Sequence, residues 1–256
     1  MRTDVLETSE DAVLGGRLRL RQPLRGHRVG HDAILLAAAT GGRAGEHAVD
    51  LGAGVGAAGL ALAARVAGLK VTLVEIDAAL CALASGNARL NKLDDRVDML
   101  TLDVENTQAL AAAGLTPGCA DRVLMNPPFH DATRQNLSPD PRRRLAHAAT
   151  PGLLRRWIAS AAHLLKPQGV LTLIWRADAL AEVQSALTAE IGGIAVLPVY
   201  PRLDAPAIRV LVRAVKSGGG VPVTYPGLIL NDQNGKPNAA AEAVLRGGGT
   251  LSITDT

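Results

Sequence analysis

The stretch Val49-Asp50-Leu51-Gly52-Ala53-Gly54-Val55-Gly56 decides the fold. Its apolar beginning predicts a buried strand, and the alternate glycines that follow allow a tight turn and a close approach of the backbone to a ligand. An Ala- and Leu-rich stretch with helical spacing comes next, at residues 57–66. A strand that passes through a glycine turn into a helix is typical of nucleotide-binding βα units.

The same alternation of a short apolar run, a break and a helical stretch continues downstream, which predicts βαβ units around a parallel sheet. We expect strands at 47–51, 70–74, 97–102, 120–125, 170–175, 194–200 and 208–215, and helices at 57–66, 78–91, 107–113, 152–165 and 179–189. Only Pro201 to Pro206 separate the last two strands, a connection that permits an antiparallel hairpin and excludes a parallel crossover. The predicted fold class is α/β, with a doubly wound, seven-stranded, mostly parallel sheet and an antiparallel last strand.

Length and composition indicate one large domain with appendages, because the chain has 256 residues of which 48% are hydrophobic. We expect an N-terminal hairpin and helix at 1–46, a catalytic domain at 47–216 and a tail at 217–256. The chain contains neither a long uncharged apolar run nor a signal-peptide pattern, which favours a cytoplasmic protein without a membrane span. Two distant cysteines, Cys81 and Cys119, support neither a disulfide framework nor a metal site.

The glycine turn has two interpretations, because Gly54, Gly56 and Gly59 also match the dinucleotide fingerprint G-x-G-x-x-G. Asp50 favours a different ligand. A carboxylate at this strand end would repel a pyrophosphate and attract an ammonium and a sulfonium, and S-adenosylmethionine carries both.

Acidic residues also follow the next two predicted strands. Glu75 is our first choice, and Asp77 our second, for accepting hydrogen bonds from ribose hydroxyls, and we expect Asp77 to cap the following helix. Asp103, after the third strand, is placed to receive an adenine amino group. The carboxyl ends of parallel strands meet at one edge of a sheet, so these acids and the glycine turn predict one ligand site.

The stretch Val123-Leu124-Met125-Asn126-Pro127-Pro128-Phe129 predicts the catalytic turn. The strand must end at Asn126, since neither proline has an N–H for a sheet ladder. The Asn126 side-chain oxygen and the Pro127 carbonyl suit the two protons of a planar amino group, and Phe129 suits stacking on the flat group that carries it. An ordinary Asn-Pro turn is the alternative. Against it, Phe129 is the only Phe of the chain and lies at the same predicted sheet edge as the glycine turn.

Two arginine-rich segments predict contacts with a polyanion. Arg17, Arg19 and Arg21 alternate with leucines on a predicted strand, which is typical either of a solvated edge strand or of a ribbon that follows phosphates. The long loop 130–151 contains Arg134 and the run Arg142-Arg143-Arg144. Upstream of the glycine turn, we expect a short helix from Ala33 to Ala39 that Asp32 caps.

With these residues in place, the chain resembles class I S-adenosylmethionine-dependent methyltransferases. Leu164-Leu165-Lys166-Pro167-Gln168-Gly169 is similar to a segment common in that class, and Asn126-Pro127-Pro128-Phe129 resembles the signature of its amino-directed members. Val29-Gly30-His31-Asp32-Ala33-Ile34-Leu35-Leu36 and, less specifically, Asn234-Gly235-Lys236-Pro237 are similar to the bacterial small-domain group that resembles the N6-adenine methyltransferase of valine tRNA. The resemblance covers residues 14–215.

The resemblance implies S-adenosylmethionine as the cofactor. We further expect direct in-line transfer of the methyl group, without a covalent intermediate or a metal. The cofactor site that the resemblance implies consists of Gly30, Asp32, Asp50, Gly52, Ala53, Gly54, Gly56, Glu75, Ile76, Asp103 and Asn126. The residues that it implies for the acceptor and catalysis are Asn126, Pro127, Pro128 and Phe129. An NAD enzyme is then disfavoured.

The acceptor stays open at this stage. We expect an RNA base, foremost adenine N6 in tRNA, with Arg17, Arg19, Arg21, Arg142, Arg143 and Arg144 contacting the RNA. Guanine amino groups in ribosomal RNA, a protein glutamine and a small O- or N-acceptor are alternatives within the enzyme class. A non-catalytic RNA-binding module is the alternative outside it. Among the histidines, only His130 is a candidate proton acceptor.

Overall fold

The computed structural model describes residues 7–25, 28–129, 152–187, 190–251 and 253. The strands are β1 (Thr8–Val13), β2 (Leu18–Pro23), β3 (His47–Leu51), β4 (Lys70–Glu75), β5 (Val97–Thr101), β6 (Ala120–Met125), β7 (Leu165–Arg176), β8 (Ile191–Tyr200), β9 (Arg209–Lys216), β10 (Val223–Thr224) and β11 (Leu228–Ile229). The helices are α1 (His31–Ala39), α2 (Ala57–Arg65), α3 (Ala78–Leu90), α4 (Thr107–Ala112), α5 (Leu153–Leu164), α6 (Leu180–Ala186) and α7 (Ala239–Leu245). Short 3₁₀ turns cover Leu14–Gly16 and Ala177–Ala179.

The central sheet has the order β10-β8-β9-β7-β6-β3-β4-β5, and β11 also pairs with β8. The seven predicted strands are all present. β9 is antiparallel to both β7 and β8, whereas β3, β4, β5, β6 and β7 pair in parallel. The prediction of a doubly wound α/β fold with an antiparallel last strand is therefore confirmed.

Two apolar layers cover the sheet. On one face, Leu60 of α2 and Leu73 of β4 belong to a core that also includes residues of α1, α3 and α7. On the other face, Trp157 of α5 and Met125 of β6 belong to a second core with α4 and α6. Burial on both sides explains why the central strands are almost continuously apolar rather than alternating.

The tail adds elements that the sequence did not reveal. β10 and β11 are only two residues long each, and both extend the sheet by pairing in parallel with β8. The tail also forms the helix α7, which packs on α1. Such short strands lack a periodic signal, because their pairing depends on the edge of β8 rather than on their own sequence.

Several boundaries differ from the prediction. β7 begins at Leu165, because a register shift between Ala120 and Arg122 and a positive φ of 65° at Gln168 let the strand pass through a Pro-Gln-Gly segment. α6 ends at Ala186, before residues 188 and 189, which lie outside the described residues. The predicted loop 130–151 also lies outside them.

The expected Asp32 cap is wrong. α1 begins at His31, its N-cap residue is Gly30, and no side chain caps it. Asp32 instead lies in the first turn, where its carboxylate binds Arg209 with 2.8 Å between Oδ2 and Nε. A partner so distant in the chain leaves no local signal.

The N-terminal hairpin is joined to the sheet through α3. Leu18 and Leu20 are fully buried, as the alternation predicted. The buried Asn87 side chain accepts a hydrogen bond from the Arg21 N–H and donates to the carbonyls of Arg21 and Val55. One amide thus connects β2 to the glycine turn that follows β3.

No helix within the described ranges is long and apolar enough to cross a membrane.

Candidate active site

The candidate site lies where the strand order reverses. β3 pairs with β4 on one side and with β6 on the other, and Leu51 is the register partner of both Val74 and Met125. The glycine turn and the Asn126 turn therefore leave neighbouring strands at the same edge of the sheet. Open α/β sheets bind their ligands at such a switch point.

The glycine turn is fixed by backbone contacts. The N–H groups of Gly52 and Ala53 both donate to the Val74 carbonyl at 2.9 Å, and the Gly56 N–H donates to the Ala53 carbonyl at 2.8 Å. Gly52, Gly54 and Gly56 all have positive φ, which favours glycine. A Cβ at Gly54 would meet no atom of the described residues within 4 Å, so these residues leave open space at Gly54.

Two glycines, Gly52 in the turn and Gly59 in α2, also allow close packing. A Cβ at Gly52 would approach the Trp157 ring to 2.4 Å, and a Cβ at Gly59 would approach the Leu73 side chain to 2.3 Å. Gly59 thus allows close packing of α2 on the sheet, whereas Gly52 makes room for an indole of α5. The sequence motif alone does not separate these roles.

Glu75 is bound to the glycine turn. Its Oε2 accepts a hydrogen bond from the Gly54 N–H at 2.9 Å, and its Oε1 accepts from the N–H groups of Ile76 and Asp77 at 2.9 and 3.0 Å. The carboxylate is buried yet lies beside the open space at Gly54. Asp77 caps α3 as predicted, because it accepts from the Ala79 and Leu80 N–H groups.

Asp50 is almost completely buried behind the turn. Its Oδ2 accepts a hydrogen bond from the Gly59 N–H at 2.8 Å. Burial raises the pKa of Asp50 from 3.8 to about 7, the hydrogen bond from Gly59 opposes this shift, and the charge of Glu75 adds to it. Asp50 therefore connects β3 to α2 and lies deeper than the sequence suggested.

Asn126 has an unused buried oxygen. Its Oδ1 is shielded from solvent and has no hydrogen-bond partner among the described residues. An unsatisfied buried acceptor costs free energy, so its presence beside an open glycine turn points to a ligand N–H. Neither Pro127 nor Pro128 carries an N–H that could meet this oxygen.

The other predicted residues lie along the same edge. Ile76 follows Glu75 and is 49% exposed, and Asp103 is exposed beyond β5, where it accepts from the Glu105 N–H. In the part of the chain that the structure describes, a Cβ at Gly30 would meet no atom within 4 Å. A half-exposed isoleucine next to an acid suits the flat base and the ribose of a nucleoside, so these residues fit an adenosine-containing cofactor.

Phe129 belongs to a cluster that the sequence did not reveal. Its ring meets Trp175 edge to face, with centroids 5.6 Å apart and an interplanar angle of 76°. The Arg209 guanidinium lies over the Phe129 ring, with Cζ 4.9 Å from the centroid, and binds Asp32. Arg209 reaches this edge because β9 runs antiparallel, so the first residue of β9 lies near the last residues of β6 and β7. Topology, and not a motif, brings the cluster together.

The predicted arginines of the hairpin carry internal partners. Arg19 and Arg21 are exposed and both pair with Glu10 on β1. Arg17 donates to the Gly247 carbonyl at 2.6 Å and so binds the tail. His130, Arg134 and Arg142 to Arg144 lie outside the described residues.

A groove of about 510 Å³ opens away from these residues, at the amino-terminal ends of β3 and β4. Two of its lining residues, His47 and Thr72, form a hydrogen bond, with 2.9 Å between Nε2 and Oγ1. Hydrogen-bonding geometry rather than groove size therefore identifies the site.

Comparison with known families agrees with this geometry. The profile described as methyltransferase small domain matches residues 29–198. With the fold and the glycine turn, this match defines a Rossmann-like methyltransferase, an enzyme whose cofactor is S-adenosylmethionine. More narrowly, the chain belongs to the methyltransferase small domain family. The resemblance found in the sequence and the cofactor that it implied are confirmed.

Individual relatives differ in their acceptors. The chain is 32% identical over 161 residues to a tRNA1(Val) (adenine(37)-N6)-methyltransferase of Porphyromonas gingivalis, an alignment covering 61% of this chain and 62% of the relative. It is 30% identical over 162 residues to a release factor glutamine methyltransferase of Chlorobaculum tepidum, covering 61% and 54%. The chain thus spans less than two thirds of the length of each.

A solved structure covers more of the chain. The crystal structure of a predicted O-methyltransferase from Agrobacterium tumefaciens is 28% identical and superposes with a TM-score of 0.73, covering 86% of this chain and 98% of that one.

Proposed function

We propose that this protein transfers a methyl group to an exocyclic amino nitrogen of a base in RNA, foremost N6 of adenine in tRNA. The buried Oδ1 of Asn126 at the switch point carries this proposal, because it has no hydrogen-bond partner in the part of the chain that the structure describes. It lies beside the turn that leaves space for the cofactor. An amino group supplies the missing N–H, whereas a hydroxyl acceptor would bring only one proton to two acceptor atoms.

In the proposed mechanism, the residues orient the acceptor. Asn126 Oδ1 and the Pro127 carbonyl accept the two amino protons, and Phe129 stacks on the base. Bound S-adenosylmethionine supplies an electrophilic methyl group. The amino nitrogen donates its electron pair to form the C–N bond, the C–S electrons remain on sulfur, and the nitrogen loses one proton to solvent. Pro128 stiffens the turn, which keeps both acceptor atoms in place during transfer.

For the cofactor, we propose a site on the glycine turn. The turn consists of Gly52, Ala53, Gly54 and Gly56. Glu75 accepts hydrogen bonds from the ribose hydroxyls, and Ile76 contacts the adenine. Gly30 and Asp32 form the side of the site at the start of α1. Asp103 accepts a hydrogen bond from the adenine amino group. Asp50 stabilises the turn from beneath, and its ionised form, which a pKa of about 7 makes accessible at neutral pH, attracts the positive charge of the ligand.

The hairpin supplies the proposed RNA contact. Arg19 and Arg21 project from one face of β2 with side chains that are 64% and 55% exposed. Their pairing with Glu10 holds two guanidinium groups on one face, and exposed pairs of this kind are weak enough to exchange for phosphates. We extend the proposal to Arg17 and to Arg142, Arg143 and Arg144. A tRNA substrate also implies a cytoplasmic protein.

The experiment that tests this function identifies the methylated product. The purified protein is incubated with methyl-labelled S-adenosylmethionine and unmodified total tRNA, and the digested nucleosides are separated by mass spectrometry. Label in N6-methyladenosine supports the proposal. Absence of label in RNA, together with label in a glutamine of a protein substrate, would instead favour the activity for which the Chlorobaculum tepidum relative is named.

A further inference from the structure

Arg209 makes a connection between the first helix and the aromatic platform. Its Nε donates to Asp32 at 2.8 Å, its Nη1 donates to the Ile208 carbonyl at 3.0 Å, and its guanidinium lies over Phe129. We propose that Arg209, held by Asp32, is a positioning residue that fixes the Phe129 ring in the acceptor pocket. This inference rests on the proposed function, because it assigns Phe129 to the acceptor.

Besides Arg209, the Phe129 ring contacts Trp175 and packs against the second apolar core. Phe129 is only partly buried and is the last residue before the undescribed segment. Trp175 meets it at a steep angle, and this contact restricts the ring from one direction. The cation above the ring adds attraction from a second direction. Asp32 keeps the guanidinium from turning to solvent, since the two side chains are only 26% and 28% exposed.

The guanidinium also determines where an acceptor base can stack. Two flat groups in contact are separated by about 3.5 Å, so inserting a third between them needs about 7 Å. The distance from Arg209 Cζ to the ring centroid is 4.9 Å, which excludes a base from that space. The acceptor must use the ring surface that Arg209 leaves open. Arg209 therefore selects the side of Phe129 on which the acceptor nitrogen lies.

The single Phe of the chain gives a direct test. Protein labelled with 4-fluorophenylalanine has one ¹⁹F resonance, which reports on Phe129 without assignment. In the cofactor-free protein, Arg209→Gln and Asp32→Asn should both move or broaden this resonance. Arg202→Gln is the matched control, because Arg202 pairs with Asp204 in the loop that precedes β9. The resonance of that control should coincide with wild type.

Kinetic measurements distinguish a positioning role of Arg209 from a general effect of its positive charge. With unmodified tRNA, Arg209→Gln should lower kcat about tenfold or more, because a misplaced platform misaligns the acceptor. The dissociation constant of S-adenosylmethionine should stay within about twofold, and Arg209→Lys should recover part of kcat. Arg202→Gln should leave kcat unchanged.

The outcomes are distinguishable. An unchanged ¹⁹F resonance in Arg209→Gln, an equal shift in Arg202→Gln, or a moved resonance with unchanged kcat would each overturn the positioning role. Absence of methyl transfer to RNA by the wild type would count against the proposed function alone. In that case a resonance that moves in Arg209→Gln and not in Arg202→Gln would still support the fixing of the ring.

Discussion

The Glu75 carboxylate and the Gly54 backbone N–H are joined by a hydrogen bond of 2.9 Å. Through this bond, the acid that ends β4 holds the turn that follows β3, so the two parts of the proposed cofactor site are one unit. A substitution at either residue should therefore affect both the shape of the turn and the binding of the cofactor.

Glu75→Ala should weaken the binding of S-adenosylmethionine by about tenfold to a hundredfold, as expected for the loss of hydrogen bonds to a charged group. Isothermal titration calorimetry measures the change. Asp77→Ala is the comparison, because it removes a helix cap and should cost about 1 kcal/mol of stability. A larger loss of affinity in Asp77→Ala than in Glu75→Ala would assign the ribose hydroxyls to Asp77.

Gly52→Ala and Gly54→Ala should have different effects, although both residues have positive φ. Each alanine costs about 1–2 kcal/mol for the left-handed backbone. Gly52→Ala adds overpacking of about 1–3 kcal/mol against Trp157. Thermal unfolding should therefore show the larger decrease in Tm for Gly52→Ala. For Gly54→Ala, titration should show a loss of cofactor affinity that is larger in proportion to its decrease in Tm. Equal unfolding temperatures would contradict the packing role of Gly52.

Asp50 should make stability depend on pH. Its pKa is about 7 in the folded chain and 3.8 as the ordinary value, so folding favours the neutral carboxyl. The stability that this group contributes is fully present below about pH 4 and is lost as pH rises through about 7, up to about 4 kcal/mol. Asp50→Asn stays neutral and keeps an acceptor for Gly59.

The advantage in Tm of Asp50→Asn over wild type should therefore grow between about pH 4 and about pH 7 and level off above that. Calorimetry at several pH values in the absence of cofactor measures this difference. A difference that stays constant over this range would show that Asp50 is ionised in the folded protein throughout it.

The hairpin arginines should govern the salt dependence of RNA binding. Arg19→Gln with Arg21→Gln should weaken tRNA binding and lower the slope of log K against log salt by about 1–2, because each phosphate contact contributes nearly one. Glu10→Gln should strengthen binding, because it removes the competing carboxylate. Filter binding over a salt series tests both. An unchanged slope in the double variant would show that the RNA does not bind to these arginines.

The sequence was sufficient for the parts of the fold that local pattern controls. The glycine turn, the acid Glu75 and the strand end at Asn126 each have a local signal, and parallel pairing then brings them to one edge. Arg209 and Trp175 have none, because an antiparallel strand places Arg209 beside Phe129 across a long separation in the chain. Asp32 was wrongly assigned as a helix cap for the same reason. The assignment used only its local sequence, whereas its partner, Arg209, is distant in the chain.

The role of Asn126 is tested most directly by measuring methyl transfer and cofactor binding in Asn126→Ala. Removing a buried oxygen that has no partner among the described residues should leave Tm unchanged or slightly raised. The dissociation constant of S-adenosylmethionine should stay close to wild type, while the rate of transfer to tRNA should fall by about a hundredfold to a thousandfold. Equal losses of binding and transfer, or transfer at the wild-type rate, would contradict the account that Asn126 holds the acceptor nitrogen.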